Sequence, residues 1–151
     1  MNELYLIVGI AGEKVAFRAA DVQSVVELDG ITPAPRAPAY IAGLAALRSR
    51  ALTVIDCVRS LELEHEEGEA RSRKAAVVEH KGHLYALLVD LVEDVVAANS
   101  EPDSVPAELS RGWHRVALGM IETDLGVMLV VDLAALIAGP TEKGPAEKKA
   151  A

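Results

Sequence analysis

GEKVAFRAADVQSVV, residues 12–26, returns seventy residues later as GHLYALLVDLVEDVV, residues 82–96. At that offset Gly12 meets Gly82, Ala16 meets Ala86, Val22 meets Val92, Val25 meets Val95 and Val26 meets Val96. A second pair follows in the same order with the offset grown to seventy-six: Gly43, Val54 and Asp56 fall on Gly119, Val130 and Asp132, Leu44 on Met120 and Ile55 on Val131. Self-similarity in unchanged order marks a duplicated structural unit, and two units are too few for a solenoid. Two like halves and a seam between them are therefore expected.

Outward from the repeat, Leu4, Leu6, Val8 and Ile10 alternate at period two and meet the Ala11-Gly12 turn before residues 15–17, the pattern of a strand hairpin. Residues 22–28 are Val-rich and strand-like, and three prolines within 30–38 predict an extended connector with no continuous ladder. Residues 44–47 and 52–55 flank a polar turn at 48–50, and Asp56 opens a short helix over 57–61. The second half repeats the plan with strands at 75–79, 84–90, 92–97, 116–122 and 127–131, a helical turn at 107–110 and a helix over 133–138. Residues 62–74 are almost wholly polar and predict a linker, while 139–151 lack any apolar periodicity and predict a disordered tail. One domain over 1–138 is expected, with subdomain one at about 1–61 and subdomain two at about 75–138. Many short strands at this spacing argue an all-β architecture of small closed or nearly closed barrels, since closure removes exposed edges.

An apolar fraction of 51% suffices for a core, and with aromatics at 3% that core must be aliphatic. The net charge of −8 argues against nucleic-acid or anionic-membrane binding, which needs clustered Lys and Arg. The single Cys57 has no partner for an internal disulfide and reads as a small buried hydrophobe. The N-terminus carries Glu3 and no basic residue before its apolar run, so no signal peptide is expected. The most apolar stretch, 84–92, falls far short of the roughly 20 residues that span a bilayer. A soluble, cytoplasmic protein is the expectation.

Asp56 and Asp132, one from each half, raise the thought of a carboxylate dyad sharing a proton. Aspartic proteases, however, follow the Asp with Thr or Ser and then Gly, whereas Cys57-Val58 and Leu133-Ala134 follow here. The favoured reading is that each Asp N-caps the helix after its strand. A small hydrolase using this pair remains the remote alternative. His80 and His83 flank a turn, but one Cys and no second paired motif argue against a metal site. The acids Glu62, Glu64, Glu66, Glu67 and Glu69 lack a Ca²⁺-loop pattern. No nucleophile elbow, P-loop or dinucleotide fingerprint occurs. No enzyme, no cofactor and no catalytic or metal-ligating residue is expected.

The run ITPAPRAPAYIAGLAALRSRALTVID, residues 31–56, resembles the CheW family of chemotaxis coupling proteins. In that family a Pro-containing connector leads to a Gly-Val-x-Asn-Leu-Arg-Gly strand and turn, then to a Val-x-Pro-Val-Ile-Asp strand. The counterparts are Gly43-Leu44, Ala46-Leu47-Arg48-Ser49 and Thr53-Val54-Ile55-Asp56. The resemblance extends to Tyr5-Leu6-Ile7, to Leu87-Leu88-Val89-Asp90 and to Val95-Val96, and covers residues 3 to 138. Ala46, Ser49 and Thr53 depart from the family's Asn, Gly and Pro. If the turn needs positive φ, Ser49 costs on the order of 1 kcal/mol.

The resemblance implies two five-stranded SH3-like β-barrels about an internal pseudo-twofold axis, with short helices. It implies a non-enzymatic adaptor joining the cytoplasmic tip of chemoreceptors to the regulatory domain of a CheA-type histidine kinase, and recruitment to membrane-associated receptor arrays. A paralogue serving surface motility or biofilm control is the nearer alternative. Candidate receptor-binding residues are Val22, Val25, Val26, Gly43, Leu47, Arg48, Val92 and Val95. Arg48 takes the place of the family's Arg; the valines have apolar side chains on both faces of short strands, where one set faces a core and the other a seam or partner. Residues that meet the kinase are not assigned.

Overall fold

The computed structural model describes residues 3–63 and 73–140. The expected disordered tail beyond 140, and residues 64–72 of the expected linker, lie outside the described residues.

The first repeat supplies β1 (Leu4–Ile10), β2 (Glu13–Arg18), β3 (Val22–Glu27), β4 (Ile41–Leu47), β5 (Arg50–Asp56) and α1 (Cys57–Ser60). The second supplies β6 (Lys74–His80), β7 (His83–Leu88), β8 (Leu91–Ala97), β9 (Ala117–Thr123), β10 (Gly126–Val131) and α3 (Leu133–Ala138), with α2 (Arg111–Val116) ahead of β9. Each strand of the first set has its counterpart at the offset read from the sequence. One sheet runs β8-β1-β2-β10-β9 and the other β3-β6-β7-β5-β4. Exchanging every strand for its repeat turns the first order into the second, so the duplication is complete at the level of topology.

The sheets do not divide the chain at 62–74. Sheet A joins β1 and β2 to β8, β9 and β10, and sheet B joins β3, β4 and β5 to β6 and β7. The two parallel pairings, β2 with β10 and β5 with β7, cross between halves. A division into 1–61 and 75–138 follows the chain, whereas barrel closure follows long-range pairing that local sequence does not encode. The Asn99 N–H donates to the Glu122 carbonyl at 2.7 Å, linking the chain after β8 to β9 and drawing the two edges of sheet A together. Behind β3, Thr32 bridges to Leu44 of β4, and Asp103 bridges likewise to Met120 of β9.

Three apolar clusters result. The interior of barrel B holds Leu28, Leu52, Val54, Ala75, Val77 and Ala86. Their repeat counterparts, Ala98, Met128, Val130, Tyr5, Ile7 and Ala16, fill barrel A. Volume is traded within this set: Ala75 beside Leu28 in one barrel answers Tyr5 beside Ala98 in the other, as close packing requires. The largest cluster lies between the barrels, with Leu6, Val8 and Phe17 from sheet A against Ile55, Val78 and Leu87 from sheet B.

Gly43 and Gly119 sit at repeat-related bulges with φ of 150° and 155°. A Cβ on either would overlap the carbonyl oxygen of Thr32 or Asp103, the residues that bridge to β4 and β9. The close approach Gly43 permits is thus to the chain's own backbone. Three hairpins turn on residue pairs with positive φ: Ala11-Gly12, Lys81-Gly82 and Arg48-Ser49. In the last, φ is 52° and 70° across the two-residue loop between paired Leu47 and Arg50, a type I′ geometry that favours Gly or Asn.

The helical turn expected at 107–110 is instead the helix at 111–116. Gly112 in that segment lowers its helix propensity, but packing requires it: a Cβ there would overlap the Leu61 carbonyl. Trp113 and Val116 are buried beneath it. Asp56 and Asp132 cap as expected. Asp56 accepts from the Arg59 N–H at 3.2 Å, and Asp132 accepts from the Ala134 and Ala135 N–H groups at 3.1 and 3.4 Å. Gly139 closes α3 with its N–H on the Ala135 carbonyl and its Cα against the Tyr40 ring. The packed unit therefore runs past the expected boundary at 138.

Two stability measurements check this reading. Ser49→Gly relieves left-handed strain and should raise stability by about 1 kcal/mol in denaturant unfolding; no gain would show that the turn is unstrained. Asp56→Ala and Asp132→Ala should each cost about 0.5–2 kcal/mol, with unchanged melts for both counting against the caps.

Candidate partner-binding surfaces

The contacts of Asp56 and Asp132 are with backbone N–H groups at the starts of α1 and α3, one in each barrel. Arg59 lies 3.6 Å from the second oxygen of Asp56. These contacts account for both carboxylates as caps. Cys57 is buried, and desolvation, reinforced by the negative charges of Asp56 and Asp90, pushes its thiol far above the usual range. A thiol held neutral is a poor nucleophile. His80 and His83 face one another across the β6–β7 register, with the His80 ring 6.4 Å from that of Tyr85. Among the described residues no group of three or more His, Cys, Asp or Glu side chains converges as a metal site.

The residues singled out for receptor binding divide between the barrels. Val22, Val25 and Val26 lie on β3, and Gly43, Leu47 and Arg48 on or after β4, the two outer strands of sheet B. Val92 and Val95 lie on β8, an outer strand of sheet A. Val22 and its repeat Val92 are half-buried against the cluster between the barrels. Val26 and Leu47 lean on the interior of barrel B. Val25 and Val95 are exposed, at 43% and 48%. The seam is thus bordered by Val22 and Val92, Val25 and Val95 look outward, and Arg48 stands at a hairpin tip whose neighbour Leu47 belongs to the barrel rather than the seam.

Repeat symmetry makes the seam's margins comparable, and they differ. Beside Val22, which pairs with Val78 on the floor, opens a cleft of about 210 Å³. Its walls include Asp21, Glu79, His80, Leu118 and Asp132, with Arg18 above. The counterparts of those five are Leu91, Gly9, Ile10, Ala42 and Asp56. There Leu91 lies over Gly9, so that a Cβ on Gly9 would come within 2.9 Å of Leu91 Cγ, and Ile10 and Asp56 are buried. One margin is apolar, with Leu91 partly exposed; the other is an open cleft lined with charge. Polar residues standing opposite apolar ones in the repeat mark Asp21 and Glu79, which composition alone does not single out, and set His80 beside them.

The outer surfaces have diverged as well. Leu118, Leu125 and Val127 are exposed at the β9–β10 hairpin of sheet A, where the repeat carries Ala42, Ser49 and Ala51. Leu4 is exposed where sheet B has Lys74.

Comparison with known proteins agrees with this architecture. A family model described as the CheW-like domain matches residues 4–140. The probable chemotaxis protein CheW of Rhizobium etli is 31% identical over 136 residues, covering 83% of this chain and 87% of that protein. The chemotaxis protein CheW of Rhizobium meliloti is 28% identical over 131 residues, covering 80% and 84%. The crystal structure of the scaffolding protein TtCheW from Thermoanaerobacter tengcongensis superposes with a TM-score of 0.74 at 23% identity, over 87% of this chain and 89% of that one. With a duplicated five-strand topology, a shared seam core and a family match over nearly every described residue, this chain belongs to the CheW-like family.

Proposed function

We propose that this chain is a non-enzymatic chemotaxis adaptor joining the cytoplasmic tip of chemoreceptors to the regulatory domain of a CheA-type histidine kinase. A chemotaxis scaffold is the role that its family and its curated relatives support. The single observation that carries the receptor half of the proposal is the open margin of the seam. A cleft next to half-buried Val22, lined by Arg18 and Leu118 of barrel A and by Val78, Glu79 and His80 of barrel B, suits an elongated helical segment better than a small metabolite. The exposed Val25 lies further along β3. The kinase half rests on the likeness between barrels: a regulatory domain of the same fold would meet this chain barrel against barrel. Nothing in either interface requires a covalent step.

No described helix is long and apolar enough to cross a membrane. Placement at a membrane-associated array would therefore come from the receptors. Signal would pass as a change in the relative geometry of the bound partners, each shifting the states available to the other.

Val25 is the better probe of the receptor surface, because Val22 is packed against the seam core and its loss would disturb folding. Val25→Asp sets a carboxylate in an apolar contact without a partner. It should weaken binding of a receptor tip fragment by about tenfold, ~1.4 kcal/mol, with binding of the kinase regulatory domain unchanged. Arg48→Glu, at a separate hairpin, separates the two parts of the expected site: loss of receptor affinity there extends the surface to barrel B's tip, and no loss confines it to the seam. Circular dichroism comes first. A folded Val25→Asp chain with parent affinity would remove the exposed face of β3 from the proposal.

A further inference from the structure

We infer that Arg115 is the residue that fixes the angle between the two barrels. It is the last-turn arginine of α2 and reaches both repeat-related helices at once. Its Nη1 donates to the Ala135 carbonyl of α3 at 2.6 Å. Its Nη2 donates to the Ser60 carbonyl of α1 at 2.7 Å and lies 3.2 Å from the Ser60 hydroxyl. That hydroxyl donates onward to the Leu136 carbonyl at 2.7 Å, closing a ring of hydrogen bonds across the seam. Helix α1 continues β5 of barrel B, and α3 follows β10 of barrel A. One side chain therefore holds the ends of both barrels.

The chemistry of the position explains why it is an arginine. Ser60 closes α1, so its carbonyl lacks an intrahelical partner and needs a donor. A planar guanidinium presents parallel N–H groups that meet two carbonyls without losing rotamer freedom twice, which an ammonium on a flexible stem does not do. Burial draws the Arg115 pKa below its ordinary value, against the opposing influence of Glu62 and Tyr40. Its Nε is buried and finds no hydrogen-bond partner among the described residues. A group that gives up this much hydration is held by the bonds it makes.

Repeat symmetry shows that the ring is an addition to the fold. The counterpart of Arg115 is Ala39, and the counterpart of Ser60 is Leu136, so the second copy of the contact does not exist. Ser60 is fully buried at a seam of apolar side chains, Phe17 and Trp113 among them. Apolar contacts allow sliding between two packed bodies at little cost, whereas hydrogen bonds of fixed length and direction do not. The apolar cluster holds the barrels together, and Arg115 sets how they are turned. The open cleft shares α3 with this network, since Asp132, Leu133, Ala134 and Ile137 line it. Its width follows from the same angle.

The test reads the angle itself. Spin labels are placed on the full chain at Arg50→Cys in barrel B and Val127→Cys in barrel A, both exposed. Cys57, buried, is left in place. The distance distribution between the labels is compared for the parent, Arg115→Met, Arg115→Lys and Ser60→Ala. Arg115→Met should keep the parent circular dichroism while its distribution shifts or broadens beyond the parent width. Arg115→Lys, which keeps the charge but not the fork, should not restore it, and Ser60→Ala should move it the same way by less. A role confined to stability would lower the melting temperature and leave the distribution of the folded molecules where it was. A folded Arg115→Met with the parent distribution overturns the inference. Should that variant not fold, a folded Ser60→Ala with the parent distribution overturns it instead.

Discussion

Two parallel strand pairings, β2 with β10 and β5 with β7, hold the rest of this molecule in place. Each joins strands from different halves of the chain, so neither barrel closes on one half alone. Without the first, β9 and β10 have no sheet to complete; without the second, β4 and β5 have none. The exchange also dictates where the core lies. With strands crossing in both directions, each sheet fills its own barrel with one face and turns the other toward its neighbour, and the largest apolar cluster forms between them. A fully buried Leu, Ile or Phe is worth about 1.5–3 kcal/mol, and this cluster contains Leu87, Phe17 and Ile55 at essentially zero exposure. The two barrels share one core.

Duplication fixed the frame and left the margins to diverge. Bulges, glycines and helix caps recur at repeat-related positions, as do the barrel interiors. The two margins of the seam differ most plainly. One is apolar, with Leu91 over Gly9, and the other is an open cleft edged by Asp21, Glu79 and His80. The helix at 111–116 and its Arg115 occur in only one half. An adaptor that joins two different partners needs unlike surfaces on a like scaffold, and the proposed function draws on this asymmetry.

Much of the frame was legible in the sequence because its determinants are local. Alternation at Leu4, Leu6, Val8 and Ile10 marks a strand wherever that strand pairs. An Asp before a short apolar helix announces a cap, and Asp56 and Asp132 both cap. The offset of seventy, then seventy-six, aligned β2 to β5 with β7 to β10. What escaped depended on distant contacts. The exchange of strands leaves no local mark, and so the chain was divided at its polar linker. The helix at 111–116 contains a glycine that argues against it, required by the Leu61 carbonyl of another element. The resemblance named Arg48 together with the β3 valines, whereas its neighbour Leu47 packs into barrel B and Val22 borders the seam. The open cleft was legible only in comparison, where a charged residue in one repeat stands opposite an apolar one in the other.

The central claim is that this chain works by holding two partners together. Sedimentation of a receptor cytoplasmic fragment with a CheA-type kinase, in the presence and absence of this chain, tests it most directly. The account predicts that receptor and kinase co-sediment only when the chain is added, in a complex containing all three. Receptor and kinase that remain separate at saturating concentrations of a folded chain would contradict it.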